Sequence, residues 1–278
     1  MLDILSMTES TVSDRIGSGR YDRQALIVSR ELGDRVNQAV NIMNLGLTGL
    51  YLDDLSQSRR DLDASLELSQ ANGDRALRAA GLACLSSLAL WQGDAKRAAA
   101  QARTALGLAL AAKDHIKEVC ARLRLGHAER ALGHTTAARQ AYAKAQAATL
   151  KISQPTQHDA SAGLAAVALS LGEAKAVVGE LRPVLDHVAA DHLLHGAQQP
   201  RWIEPTCHRA LARAGDPRAF DWLARAHGTL MAEAEAIADT ALHQSFLHNI
   251  PHHREIVAAW GRRQATSQGH EAPGRVVT

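Results

Sequence analysis

Leu45, Leu85 and Leu125 occupy one apolar position that returns every 40 residues, and a small residue follows each of them: Gly46, Ser86 and Gly126. Polar punctuation keeps the same period. Gly33-Asp34, Gly73-Asp74 and Lys113-Asp114 stand 40 residues apart, and Asp53-Asp54, Gly93-Asp94 and Gly133-His134 interleave with them. Each period therefore holds two segments of about 20 residues, each closed by a turn. Glycine suits the left-handed position after a helix, and aspartate suits the cap of the next one. Small residues also recur past the second turn, as Ser58, Ala98 and Ala138 and then Ser65, Ala105 and Ala145. Paired helices come within about 8–10 Å only where the crossing side chains are small. The pattern predicts helix pairs over 35–52/54–71, 74–92/94–112 and 114–132/135–151, then with drift over 158–171/173–191 and 201–214/217–227. One helix near 21–32 precedes them, and helices near 229–248 and 252–262 follow. The expected fold class is all-α, an α-solenoid of stacked antiparallel helical hairpins.

All seven prolines fall after residue 154, so the first half reads as unbroken helices. Pro183 is expected to kink or split its helix, and Pro200 and Pro205 to bracket a helix start. The expected organisation is a flexible segment over 1–20, the solenoid over 21–262 and a disordered tail over 263–278.

Composition narrows the function classes. The 278 residues are 46% hydrophobic but only 3% aromatic, so the apolar content is mostly alanine and leucine. That favours helix over a β-sandwich or barrel. With 31 Lys+Arg against 29 Asp+Glu, the net charge of +2 lacks the footprint of a strong nucleic-acid binder. Cys84, Cys120 and Cys207 are odd in number and form no Cys-x-x-Cys, which fits a reducing cytoplasm. The stretch from Ala79 to Trp91 is too short to span a bilayer, and the acidic N-terminus is no signal peptide. No membrane partner is expected.

Catalytic signatures are missing. No glycine precedes a lysine, so there is no phosphate-cradling Gly-Lys-Ser/Thr loop, and no His-Glu-x-x-His or Gly-x-Ser-x-Gly occurs. A non-enzymatic chain without cofactor is expected. Histidine is the suggestive residue: eleven of fourteen follow residue 154. His187, Asp191 and His195 fall at i, i+4 and i+8, a partial Zn²⁺ spacing on one helix face. The simpler reading is a polar, solvated stripe.

Asn44-Leu45-Gly46 through Tyr51-Leu52-Asp53-Asp54, then Ser58 and Ser65, resembles the tetratricopeptide (TPR) repeat. The 40-residue period is similar to the longer repeats in the C-terminal arms of bacterial signalling ATPases, which accompany adenylyl cyclase or LuxR-type domains. Ser245-Phe246-Leu247-His248-Asn249-Ile250-Pro251-His252-His253-Arg254-Glu255-Ile256 resembles the Ser-Phe-Leu-x-x-Val-Pro-x-x-Arg-Glu-Ile ending of those arms. The resemblance implies a protein- or peptide-binding scaffold in bacterial signalling or transcriptional regulation. An alternative is a detached regulatory arm acting on a missing cyclase or ATPase module.

In such hairpins the first helix lines the concave groove, which would take the protein or peptide partner. Counting from the turns, the inward positions are Met43, Leu47, Leu50 and Tyr51, then Ala83, Ser87, Leu90 and Trp91, then Leu123, His127, Arg130 and Ala131. Met43, Leu47, Tyr51, Ser87, Trp91, His127 and Arg130 are the candidate partner-binding residues. Tyr51 and Trp91 with Arg130 and His127 have the composition of a binding hot spot. The competing expectation is that such scarce aromatics pack between repeats or lie under the C-terminal helix.

Overall fold

The computed structural model describes residues 12–150, 152, 157–190, 194 and 197–270. Among these it holds thirteen α-helices and no strand. They are α1 (Val12–Glu31), α2 (Arg35–Tyr51), α3 (Leu55–Ala71), α4 (Arg75–Trp91), α5 (Ala95–Ala112), α6 (His115–Ala131) and α7 (Thr135–Thr149). Then come α8 (Gln157–Ser170), α9 (Ala174–Ala189), α10 (Pro200–Arg213), α11 (Ala219–Glu235), α12 (Thr240–His248) and α13 (Pro251–His270). The described residues form an all-α solenoid in which successive helices pack on one another.

The punctuation acts as expected. Asp34, Asp54, Asp74, Asp94 and Asp114 each accept a hydrogen bond from the backbone N–H three residues on, at 2.8–3.0 Å. These caps satisfy donors that a helix start leaves open. The residue before each cap is left-handed: Gly73 has φ 72° and Gly93 φ 83°, while Asp53 (φ 64°) and Lys113 (φ 54°) adopt the same bend without being glycine. The reversal is thus set by repeat geometry even where the residue disfavours it.

The small positions sit at helix crossings. A Cβ on Gly46 would come within 2.8 Å of Leu62 Cγ, and one on Gly126 within 2.6 Å of the Tyr142 ring. Buried serines at these crossings donate to backbone carbonyls of the paired helix: Ser58 to Gly46 (2.6 Å), Ser65 to Ala39 (2.8 Å) and Ser86 to Ala98 (2.8 Å). Each such bond fills the demand of a polar group that close packing has removed from water.

The helices α4 and α6, and α8 and α10, lie side by side as an inner layer. The chain then turns back across that layer. Leu230, Phe246, Leu247, Ile250 and Ile256 form one cluster, and Leu52, Trp91 and Ile16 from the other end of the chain pack on it. Ser245 Oγ donates to Asp53 Oδ2, and Asn249 Nδ2 donates to Ser245 Oγ at 2.7 Å. Residues 245–256, singled out in the sequence, therefore form the segment that closes the array on itself.

Several boundaries differ from expectation. The helix expected near 21 begins at Val12, so 12–20 is helical rather than loose. Ile16 anchors it on the C-terminal cluster, and Gly19 admits Thr48, whose Cγ2 would lie 3.2 Å from a Cβ there. At the other end α13 runs to His270, past the expected break at 262. α11 continues through His227 and Gly228, and the break comes where Asp239 caps α12 by accepting from Leu242 N–H at 2.8 Å. Pro183 and Pro205 lie inside α9 and α10 without ending them. Residues 1–11 and 271–278 of the expected termini lie outside the described residues.

Candidate functional site

Met43 (1% exposed) and Leu47 (9% exposed) belong to the core shared by α2, α3 and α4. The reason is packing: counting from the turn places them inward, but the neighbouring helices meet over them. The other candidates converge on the inner face. Tyr51 Oη reaches the carbonyl of Gln198 at 3.4 Å. Ser87, Trp91, His127 and Arg130 line one small cavity together with Ser86, Arg124, Trp202 and His252. Its volume is about 40 Å³.

Four elements build this cavity. α4 supplies Ser87 and Trp91, and α6 supplies Arg124, His127 and Arg130 at i, i+3 and i+6, along one helix side. α10 lays Trp202 across the opening, its ring 4.4 Å from His127 and nearly perpendicular to it, with Arg130 Cζ 5.9 Å from the indole centre. α13 adds His252, whose ring meets Trp91 edge-on at 5.6 Å. His127 is fixed from behind by a 2.8 Å hydrogen bond between its Nδ1 and the Tyr142 hydroxyl. Burial pushes that phenol up to about 12 and holds the imidazole well below its usual value, so both are neutral. Trp91 thus lies under the C-terminal helices, and the concave face is covered by the chain's own α10, α12 and α13.

Sequence reasoning missed Arg124, Asp159, Trp202 and His252. Arg124 was accessible in principle, three residues from His127 on the same helix side. The others come from distant segments and leave no local period. Asp159 carries the turn before α10: its oxygens accept from Gln198 N–H at 2.8 Å and Gln199 N–H at 3.0 Å. Burial outweighs these bonds and the Arg124 charge, and lifts its carboxyl to about 6.

Of the histidine stripe only His187 lies among the described residues. His187 lies 4.4 Å from the His158 ring, while Asp191 and His195 are outside the described residues. Among the described residues no group of three or more His, Cys, Asp or Glu is placed to hold a metal ion. The three cysteines are buried, and burial raises the Cys120 and Cys207 thiols, opposite to the activation a nucleophile needs. No described helix is long and apolar enough to cross a membrane.

The buried histidines of α13 make its docking acid-sensitive. His253 donates or accepts at Nδ1 with the Phe246 carbonyl, 2.8 Å away, and burial, with Arg201 nearby, lowers it to about 4. A depressed histidine contributes stability that is full above the unfolded value of 6.5 and is lost as pH falls toward 4. Asp159 runs the other way, its contribution being lost as pH rises through about 6. A difference measurement isolates the histidine. In urea unfolding, the stability lost between pH 7 and pH 4.5 is expected to be about 2 kcal/mol smaller in His253→Asn than in the wild type.

The fold and the covered inner face define a TPR-like helical-repeat protein. No protein-family model matches the chain, and no curated protein sequence matches it. Solved structures do. The chain is similar to a Rap protein crystallised with competence and sporulation factor, at 13% identity and a TM-score of 0.64, over 90% of this chain and 72% of that one. It is also similar to the apo form of RapI, at 13% identity and a TM-score of 0.57, over 91% of this chain and 71% of that one. At this identity the likeness concerns the fold.

Proposed function

We propose that the protein is a non-catalytic helical-repeat scaffold that binds a peptide or protein segment on its inner face. The observation that carries this reading is that the inner face already holds helices: α10, α12 and α13 dock there through Trp91, Trp202 and His252. A surface with partly exposed edges of Trp91, Trp202 and Arg130 that accepts one amphipathic segment has the chemistry to accept another. The fold it shares with a Rap protein crystallised with competence and sporulation factor supports the same reading. The finer setting, bacterial signal transduction with a separate ATPase or cyclase module as partner, rests on the resemblance of residues 245–256 to the arms of such proteins.

Panning a displayed random peptide library against the intact protein tests the proposal. The expected result is a consensus whose synthetic peptide binds the wild type and binds Arg130→Ala at least tenfold more weakly, a loss of about 1.4 kcal/mol. Failure to enrich any consensus, or equal binding to the variant, overturns the inner-face assignment.

A further inference from the structure

The outer side of α1 is apolar where the end of a helical stack is normally polar. Tyr21 (74% exposed), Ile27, Val28, Leu32 (75%) and, just beyond on α2, Val36 are five of the nine large hydrophobic side chains that the described residues leave exposed, so the exposure is concentrated at this end. The helix buries a different side. Gly19, Leu26 and Ser29 are covered as α1 packs on α2, and Asp22 Oδ1 accepts from Asn44 Nδ2 of α2 at 3.1 Å. Tyr21, Ala25, Val28 and Leu32, all exposed, follow one another at spacings of four, three and four, the seam of a heptad. A lone exposed leucine is ordinary, whereas a stripe along one helix side marks a contact surface.

We propose that α1 pairs with α1 of a second copy of this chain, the two helices running antiparallel about a two-fold axis level with Leu26 and Ile27. The stripe is its own complement in that register. Tyr21 falls opposite the second copy's Leu32 and Ala25 opposite its Val28, so every layer of the contact is apolar and each is used twice. A parallel pairing would set Ala25 against itself and leave a gap at the centre. The flank agrees in charge: Gln24 and Glu31 border the stripe on one side and face each other across the axis, an amide against a carboxylate. The charges of α1 are of both signs, Arg20, Arg23 and Arg30 against Asp22 and Glu31, unlike the basic polar face of a helix that lies on a membrane. Two such patches cover on the order of 1,000 Å² in all, the size of a weak, concentration-dependent contact. The pairing goes beyond the peptide-binding reading and does not rest on it.

Sedimentation velocity of the intact protein over a concentration series tests the pairing. The wild type is expected to shift from monomer toward dimer as concentration rises. Leu32→Glu is expected to weaken the dimer at least tenfold. Tyr21→Lys added to the same chain is expected to win back at least threefold, because an ammonium then faces a carboxylate at both ends of the antiparallel contact. Within one chain the two positions lie about 16 Å apart along the helix, too far to pair with each other. Both are about three-quarters exposed, so neither change threatens the fold. Leu110→Glu, at an exposed leucine of α5, is the control and should dimerise like the wild type. The pairing is overturned if the wild type stays monomeric up to its solubility limit, if Leu32→Glu dimerises like the wild type, or if Leu110→Glu weakens the dimer equally. It is also overturned if the double variant is no tighter than Leu32→Glu alone, or if a chain that stays monomeric sediments with anionic vesicles, which would give the stripe to a lipid surface. None of these outcomes bears on peptide selection, so the pairing and the inner-face reading fail separately.

Discussion

Gly163→Ala is expected to destabilise the protein by about 3 kcal/mol and to lower its melting temperature by roughly 6–12 °C. Helix propensity alone argues the opposite, since alanine is better than glycine inside a helix by about 1 kcal/mol. Packing wins because of what the methyl group would meet. A Cβ on Gly163 in α8 would lie 2.3 Å from Cδ1 and 2.4 Å from Cε1 of Tyr142. That ring cannot step aside. It is fully buried on α7, held at its hydroxyl by His127, and also abutted by Gly126, where a Cβ would lie 2.6 Å away. Tyrosine therefore serves as a wedge between three successive helices, α6, α7 and α8, and both glycines are the space it occupies. Gly107→Ala in α5 is the matched control. Nothing lies within 4 Å of a Cβ there, so it should keep or raise the melting temperature. Thermal melts of the two variants check the pair of signs: equal behaviour would mean that the wedge does not govern spacing along the array.

Trp91→Ala has the second large effect, about 3 kcal/mol, and its location matters more than its size. Trp91 packs on two clusters at once. One is the core of α2–α4, and the other is the C-terminal cluster of Phe246, Leu247, Ile250 and Ile256. It also meets the His252 ring edge-on. Removing the indole takes the floor from under α12 and α13 while leaving the capped, glycine-spaced hairpins intact. Native-state hydrogen exchange is expected to show amides of α12 and α13 losing protection while those of α4 to α7 keep theirs. Uniform loss across α2 to α7 would instead make Trp91 a pillar of the repeats.

Local rules made the repeat visible. Helix termini demand a left-handed residue and then a cap, and Gly73-Asp74 and Gly93-Asp94 state both in adjacent letters. Close approach demands small residues, which Gly46 and Gly126 supply against Leu62 and Tyr142. The same counting placed Trp91, His127 and Arg130 together on the inner face. What it left hidden was the cover. Asp53 and Ser245, or Tyr51 and Gln198, meet across most of the chain, and no local period encodes such pairs. Met43 and Leu47 point inward yet are roofed by neighbouring helices, a distinction that periodicity alone does not draw. The boundary expected between 227 and 229 falls inside α11, where the Thr229 hydroxyl donates back to the Arg225 carbonyl instead of capping a new helix, and the cap comes at Asp239.

The bond from Ser245 to Asp53 joins the last helices made to nearly the first. During synthesis on the ribosome, α2 to α6 can stack as soon as they emerge, because they pack mainly on helices one or two places along the chain. The tryptophan and arginine edges of those hairpins then stand uncovered until α12 and α13 have been translated. A nascent chain therefore offers its inner face openly, and the finished chain offers it only in competition with its own C-terminal helices.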